Sequence, residues 1–205
     1  MTVGSALRGF ARLVTGVRGR SVGQRGAPGP VIYFANHSSH GDFVLIWTVL
    51  SPALRAQTRP VAGADYWARG RFRPWLAANV FNAVLIDRGK LDRASDPTAP
   101  VLAALDAGQS VIIFPEGTRN QTDEPLLPFR SGLYRLAEAR STIPLVPVWI
   151  ENIARVMPKG EVLPIPLLCS VTFGPAIGRE PGELRPAFLA RAASAVKALR
   201  PRDAE

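Results

Sequence analysis

Cysteine occurs once in the 205-residue chain, at Cys169 in an apolar run. One thiol excludes an internal disulfide. With only two histidines, His37 and His40, the chain offers no cysteine–histidine cluster of the kind that holds zinc. Long hydrophobic runs are also missing. No stretch approaches the roughly 18–20 uninterrupted apolar residues of a membrane span, and the N-terminus has no apolar signal-peptide core. These absences lead to the expectation of a cytoplasmic protein, held at most peripherally on the cytoplasmic face of a membrane. Acid is absent before Asp42, whereas Arg8, Arg12, Arg18 and Arg20 precede it.

Hydrophobic residues make up 47% of the chain, well above the disordered range. The length fits one domain with a sizeable core. The net charge of +9 comes almost entirely from arginine, and it favours anionic partners: nucleic acid, an anionic lipid surface, or phosphorylated and CoA-like substrates. Val3, Leu7, Phe10, Val14 and Val17 recur at steps of four and three, which predicts a helix over residues 1–20. Such a helix either packs on the domain or lies on an anionic bilayer. With the Gly/Arg/Pro-rich stretch that follows, residues 1–28 read as an amphipathic, membrane-associating segment, and 29–205 as a single domain. A second helix, expected over 65–79, mixes Trp67, Phe72 and Trp75 with Arg69, Arg71 and Arg73. That mixture suits a membrane interface, nucleic-acid stacking, or a helix with buried Trp and solvated Arg.

Strands are expected at 31–35, 59–64, 81–88, 110–114, 143–150 and 168–173. Further helices are expected at 43–50, 96–107 with Gly108 as its stop, 129–140 and 183–199. Their alternation predicts an α/β fold: a mixed, largely parallel sheet flanked by helices. Two loops carry chemistry. In Asn36-His37-Ser38-Ser39-His40-Gly41-Asp42, a strand delivers His37 and the start of a helix holds Asp42. A carboxylate beside an imidazole fixes its tautomer and stabilises the imidazolium, so His37 is a candidate general base. The alternative is a His and an Asp that only cap a helix; His40, inside the turn, is the weaker candidate. In Pro115-Glu116-Gly117-Thr118-Arg119-Asn120, acid, glycine, hydroxyl and arginine follow the clearest buried strand, where α/β sheets bind ligands. Arginine offers a bidentate fork for phosphate. The alternative is a structural turn with an internal Glu–Arg pair.

Taken together, these motifs resemble the glycerophospholipid (lysophospholipid) acyltransferase family of the 1-acylglycerol-3-phosphate acyltransferase type. His37-x4-Asp42 after Asn36 is similar to the family's first block, and Leu85-Ile86-Asp87-Arg88 to its second, with Asn82 and Leu85 in place of the usual Gly and Phe. Phe114-Pro115-Glu116-Gly117-Thr118-Arg119 with Phe129-Arg130-x-Gly132 resembles the third, and Ile143 to Val148 the fourth. The resemblance implies a glycerolipid acyltransferase-like fold and acyl transfer from acyl-CoA or acyl carrier protein to a membrane-borne lysophospholipid. The first acceptor it implies is 1-acylglycerol-3-phosphate, giving phosphatidate. It implies His37 as base, Asp42 as its orienting group, Arg119 and Arg88 on the acceptor phosphate, and Glu116 and Gly117 shaping the glycerol site. Thr118 is counted with them, although it serves a turn equally well. Beyond the thioester co-substrate it implies no cofactor and no metal.

One departure is visible. Family members that use lysophosphatidate often carry a lysine in the strand after the first helix, and Val61-Ala62-Gly63-Ala64-Asp65 has none. This leaves room for another lysophospholipid or hydroxyl lipid. A catalytically silent membrane-binding protein is the alternative of another class. Nucleic-acid binding is set aside, because no helix-turn-helix, zinc or RNA-binding signature accompanies the basic charge.

Overall fold

The apolar run Ile32–Ala35 (β2) is buried at every position. Such a strand needs cover on both faces, which is the signature of an interior strand in a layered α/β protein. In the computed structural model, which describes residues 3–22, 29–39, 41–67, 70–86, 96–151 and 169–201, β2 lies at the centre of a seven-stranded sheet. In chain order the described elements are α1 (Val3–Thr15), β1 (Arg18–Ser21), β2, α2 (Asp42–Val49), α3 (Pro52–Ala56), β3 (Thr58–Gly63), α4 (Ala64–Trp67) and α5 (Phe72–Asn79). Then come β4 (Val84–Ile86), α6 (Ala99–Asp106), β5 (Ser110–Ile113), α7 (Gly132–Ala139), β6 (Leu145–Glu151), β7 (Ser170–Phe173) and α8 (Arg185–Lys197).

The strand order is β1-β7-β6-β2-β5-β3-β4. Every pairing is parallel except β6 with β7. The period of two divides the core into two layers. Ile32 and Phe34 join the side covered by α6, α7 and α8, through Leu105, Leu133, Leu136 and Phe188. Tyr33 and Ala35 join the side covered by α2, with α1 and α5 packed behind. Six of the eight α2 residues are buried, because the helix lies between the sheet and α1. Phe34, Phe173 and Phe188 are fully buried, and each contributes roughly 2–3 kcal/mol of transfer free energy.

The expected mixed, largely parallel α/β architecture is observed, and three local expectations change. The N-terminal helix ends at Thr15, whose hydroxyl bonds back to the Ala11 carbonyl, and Gly16 follows at φ +52°. Arg18–Ser21 is then an edge strand, pairing Arg18 with Ser170 through Ser21 with Phe173. No apolar alternation marks it, because all four residues are exposed; it exists through pairing with β7. Gly19 lets the strand lie close under α2, since a Cβ there would stand 3.0 Å from Val49 Cβ. Arg18–Ser21, within the stretch expected to be a membrane-associating segment, thus supply a strand of the sheet. The helix expected over 65–79 is two helices, α4 and α5, with Gly70 at φ +74° between them. The strand expected over 81–88 is described as Val84–Ile86, preceded by Asn82 at φ +46°. Arg88, Asp87, Arg69 and His40 lie outside the described residues.

Candidate active site

Parallel strands place all their C-terminal ends on one edge, and the loops that leave that edge are the chemistry-bearing ones. His37 follows β2, Gly63 ends β3 with Asp65 just after it, Ile86 ends β4, and Phe114, Pro115, Gly117, Thr118 and Arg119 follow β5. These residues line a cavity of about 460 Å³, a volume typical of small-molecule sites. Phe43, Val61, Val101, Ile113, Leu133 and Leu136 make its walls largely apolar, while His37, Asp65, Arg119 and Arg130 also line it.

His37 is held from every side. Its Nδ1 is 2.8 Å from Asp42 Oδ2. The same oxygen accepts the Ser38 N–H at 2.7 Å and the Ser39 N–H at 2.9 Å. Asp42 is the first residue of α2 and has no solvent exposure. A carboxylate oxygen shared among three donors acts as an acceptor, so Nδ1 carries the proton and Nε2 is left as the ring's proton acceptor. The imidazole also stacks on Phe114, with centroids 4.3 Å apart and planes 18° apart. Asn36 fixes the strand end beneath, giving and taking hydrogen bonds with the Ile150 backbone at 2.9 and 2.7 Å.

The loop after β5 grips the same residue by its backbone. Glu116 Oε1 accepts the His37 N–H at 2.7 Å, and Oε2 accepts the Leu127 N–H at 2.9 Å. The Asn120 N–H donates to the His37 carbonyl at 2.6 Å. Glu116 is only 2% exposed. Burial pushes its carboxyl above the usual range, against the opposing pull of the two N–H groups. Its side chain lines not the large cavity but a second one of about 220 Å³ on the other side of His37. Gly117 has φ +72°, and a Cβ there would meet Arg130 Cδ and Nε at 2.6 Å. Only glycine lets Arg130 lie across this turn and donate from Nε to the Glu116 carbonyl at 3.1 Å.

The structure brings His37, Asp42, Glu116, Gly117, Thr118 and Arg119 into one cluster. Gly117, Thr118 and Arg119 line the large cavity, whereas Glu116 is turned into the loop; Arg88 falls outside the described residues. The alternative of an internal Glu116–Arg119 pair is not formed, since Glu116 is bonded to backbone and Arg119 makes no ion pair among the described residues. Sequence reasoning gave no role to Phe114, Asp65 or Arg130. The Phe129-Arg130-x-Gly132 signature marked Arg130 but not its direction. Nothing marked Asp65, whose place depends on β3 lying next to β5.

A cavity with a carboxylate-oriented imidazole and the guanidinium groups of Arg119 and Arg130 can take a proton from a hydroxyl and hold an anion beside it. The arrangement is thus a polar cluster at the C-terminal edge of an α/β sheet, beside a largely apolar cavity. A family model described as Acyltransferase matches residues 17–151, and the chain belongs to that family. It is 30% identical over 144 residues to the 1-acyl-sn-glycerol-3-phosphate acyltransferase of Saccharomyces cerevisiae, covering 69% of this chain and 45% of that protein. It is 26% identical over 137 residues to the lyso-ornithine lipid O-acyltransferase of Brucella abortus, covering 63% and 46%. The chain spans about half the length of these curated relatives or less. The crystal structure of the 1-acyl-sn-glycerophosphate (LPA) acyltransferase PlsC from Thermotoga maritima shares the fold, with a TM-score of 0.72 at 19% identity over 96% of this chain and 78% of that one.

Proposed function

We propose that the protein moves a fatty acyl group from a thioester, acyl-CoA or acyl carrier protein, to the free hydroxyl of a lysophospholipid. The observation that carries this reading is the His37–Asp42 pair at the mouth of an apolar-walled cavity that also holds Arg119. His37 Nε2 takes the acceptor's hydroxyl proton as the oxygen attacks the thioester carbonyl. The C–S bond then breaks, and the imidazolium returns the proton to the thiolate. The thioester is already activated, so no protein nucleophile is required. General-base catalysis supplies about 10²–10⁴-fold, and positioning of acceptor and donor supplies much of the rest.

1-Acylglycerol-3-phosphate is the reference acceptor, named for the yeast relative and expected from the motifs. Its phosphate would lie at Arg119, with Arg130 beside it. Arg119→Lys is expected to raise the acceptor KM about tenfold, the equivalent of one lost charge-assisted hydrogen bond. A steady-state assay that varies each substrate in turn checks this. A change confined to the donor KM would remove the acceptor from Arg119. One observation, the carboxylate of Asp65 in the same cavity, favours the second reading of a lysolipid with a larger headgroup.

The acceptor's home gives a further expectation. Among the described residues no helix is long and apolar enough to cross a membrane. The predicted stripe of α1 divides: Leu7 and Val14 pack on the core, whereas Val3 and Phe10 are exposed, as is Leu13 outside the stripe at 83%. Phe72 and Trp75 of α5 are also exposed and stack on each other. Burial, and then the charges of Arg8 and Arg12, lower the Arg55 pKa, so α1 carries positive charge as well as exposed apolar side chains. We therefore read it as the surface that meets an anionic bilayer, where each arginine contributes about 1 kcal/mol. The double substitution Phe10→Ser, Leu13→Ser is expected to weaken sedimentation with anionic liposomes while sparing activity on detergent-dispersed substrate. High salt should reduce wild-type binding without abolishing it. Unchanged sedimentation of the double variant would place the contact elsewhere.

A further inference from the structure

The acyl transfer just described uses His37 and a guanidinium but not the carboxylate that shares their cavity. Asp65 sits in the first turn of α4, directly after β3. It lines the same cavity as His37, Arg119 and Arg130. Among the described residues it makes no hydrogen bond or ion pair, and it is exposed toward the cavity's solvent. Nothing in the fold requires an acid there, since no helix end or loop depends on its oxygens. The strand before it, Thr58–Gly63, brings no cation to the cavity: Arg59 is turned away and donates to the Asn82 carbonyl and to Gln109.

The described charged groups of the cavity, His37 apart, are therefore two guanidinium groups and one unpartnered carboxylate. A terminal phosphomonoester carries a charge of about −1.5 to −2 at pH 7. It would share the cavity with Asp65 as a like charge, and two like charges at close range repel each other. A headgroup with one anionic and one ammonium group is matched at each centre: the anion by arginine, the ammonium by carboxylate. We infer that the acceptor is a zwitterionic lysolipid whose anionic group lies at Arg119 and Arg130 and whose ammonium group pairs with Asp65. The inference rests on the acyl-transfer reading and sharpens its substrate class. The anion can be a phosphodiester, as in an ethanolamine phospholipid, or a carboxylate, as in an amino-acid lipid; the ammonium is common to both.

The test offers purified protein three hydroxyl acceptors with either thioester: lysophosphatidate, lysophosphatidylethanolamine and lyso-ornithine lipid. At least one zwitterionic acceptor is expected to exceed lysophosphatidate about tenfold or more in kcat/KM, and which one does so identifies the anion. Asp65→Asn is expected to lower kcat/KM for that acceptor about tenfold, chiefly through KM, and to raise it for lysophosphatidate. Asp65→Lys should reverse the order of preference outright. A wild-type preference for lysophosphatidate overturns the inference and leaves the acyl transfer standing. An Asp65→Asn variant impaired equally on all three acceptors also overturns it, because a structural fault would do that. Absence of transfer to all three, with both thioesters, overturns the acyl-transfer reading itself and the inference with it.

Discussion

His37→Ala is expected to lose at least ~10²-fold of turnover, the minimum contribution of a positioned general base, while the protein stays folded. The geometry makes that separation possible. Removing the imidazole deletes one donor to Asp42 Oδ2, but the Ser38 and Ser39 N–H groups still satisfy that oxygen. Asp42 Oδ1 is buried without a partner among the described residues in either case, so the substitution leaves no further oxygen unsatisfied. The stack on Phe114 is lost at a part-exposed site, where the side chain of His37 is 18% exposed. Asp42→Asn should cost a comparable factor by another route. The Ser38 and Ser39 N–H groups hold the amide oxygen in the place of Oδ2, but an uncharged amide no longer stabilises the imidazolium that forms when Nε2 takes the proton. Thiol release from the acyl thioester, measured with and without acceptor, reads both variants. Wild-type rates from His37→Ala with acceptor present would end the general-base mechanism.

The His37–Asp42 arrangement was legible because its parts are close in sequence. A buried strand, a short turn and a helix start leave few ways to arrange a His and an Asp five positions apart. The alternation of strands with helices gave the layered α/β class for a similar reason: each element carries its own hydrophobic period. What stayed hidden depends on neighbours that the local pattern does not name. Arg18–Ser21 has no strand pattern and is one only because β7 presents an edge to it. The break between α4 and α5 rests on the positive φ of Gly70, inside a stretch whose aromatic spacing reads as one helix. The stripe of α1 was legible as amphipathic, but not that its apolar positions divide between the core and solvent. That division also bears on the choice of variants, because deleting residues 1–20 would remove most of β1 along with the exposed face. Asp65 enters the cavity through strand order, which no local pattern discloses. Glu116 was legible as a site residue, whereas the direction of its carboxylate, toward backbone N–H groups 79 and 11 residues away in the chain, was not.

Glu116 is where the expectation of a substrate ligand and the observed geometry make opposite predictions. If its carboxylate shapes the glycerol site, Glu116→Gln raises the acceptor KM. If it holds the His37 loop, kcat falls and the acceptor KM stays. The second outcome is expected, because each carboxylate oxygen is already committed to a backbone N–H and the side chain is buried away from the large cavity. Glutamine keeps one acceptor and turns its NH₂ toward the other N–H, so the clamp is half retained. Alanine removes it entirely and leaves the His37 and Leu127 N–H groups without their partner, at about 1–3 kcal/mol each. Turnover should therefore fall in the order wild type, Gln, Ala, and the Ala variant should melt several degrees lower, at about 2–4 °C per kcal/mol for a chain of this size. The pH dependence has a definite sign. Burial raises the Glu116 pKa above its ordinary value of 4.5, so over the window above that value the folded chain holds a proton that the unfolded chain has released. The folded state then binds more protons, and this residue's contribution to stability declines as pH rises through the window. Glutamine has no such slope. Urea unfolding should thus show the stability of wild type, relative to Glu116→Gln, flat below pH 4.5 and falling as pH rises above it. A relative stability that rises with pH would mean that the two N–H groups outweigh burial, and a rise in acceptor KM without a fall in kcat would return Glu116 to the glycerol site.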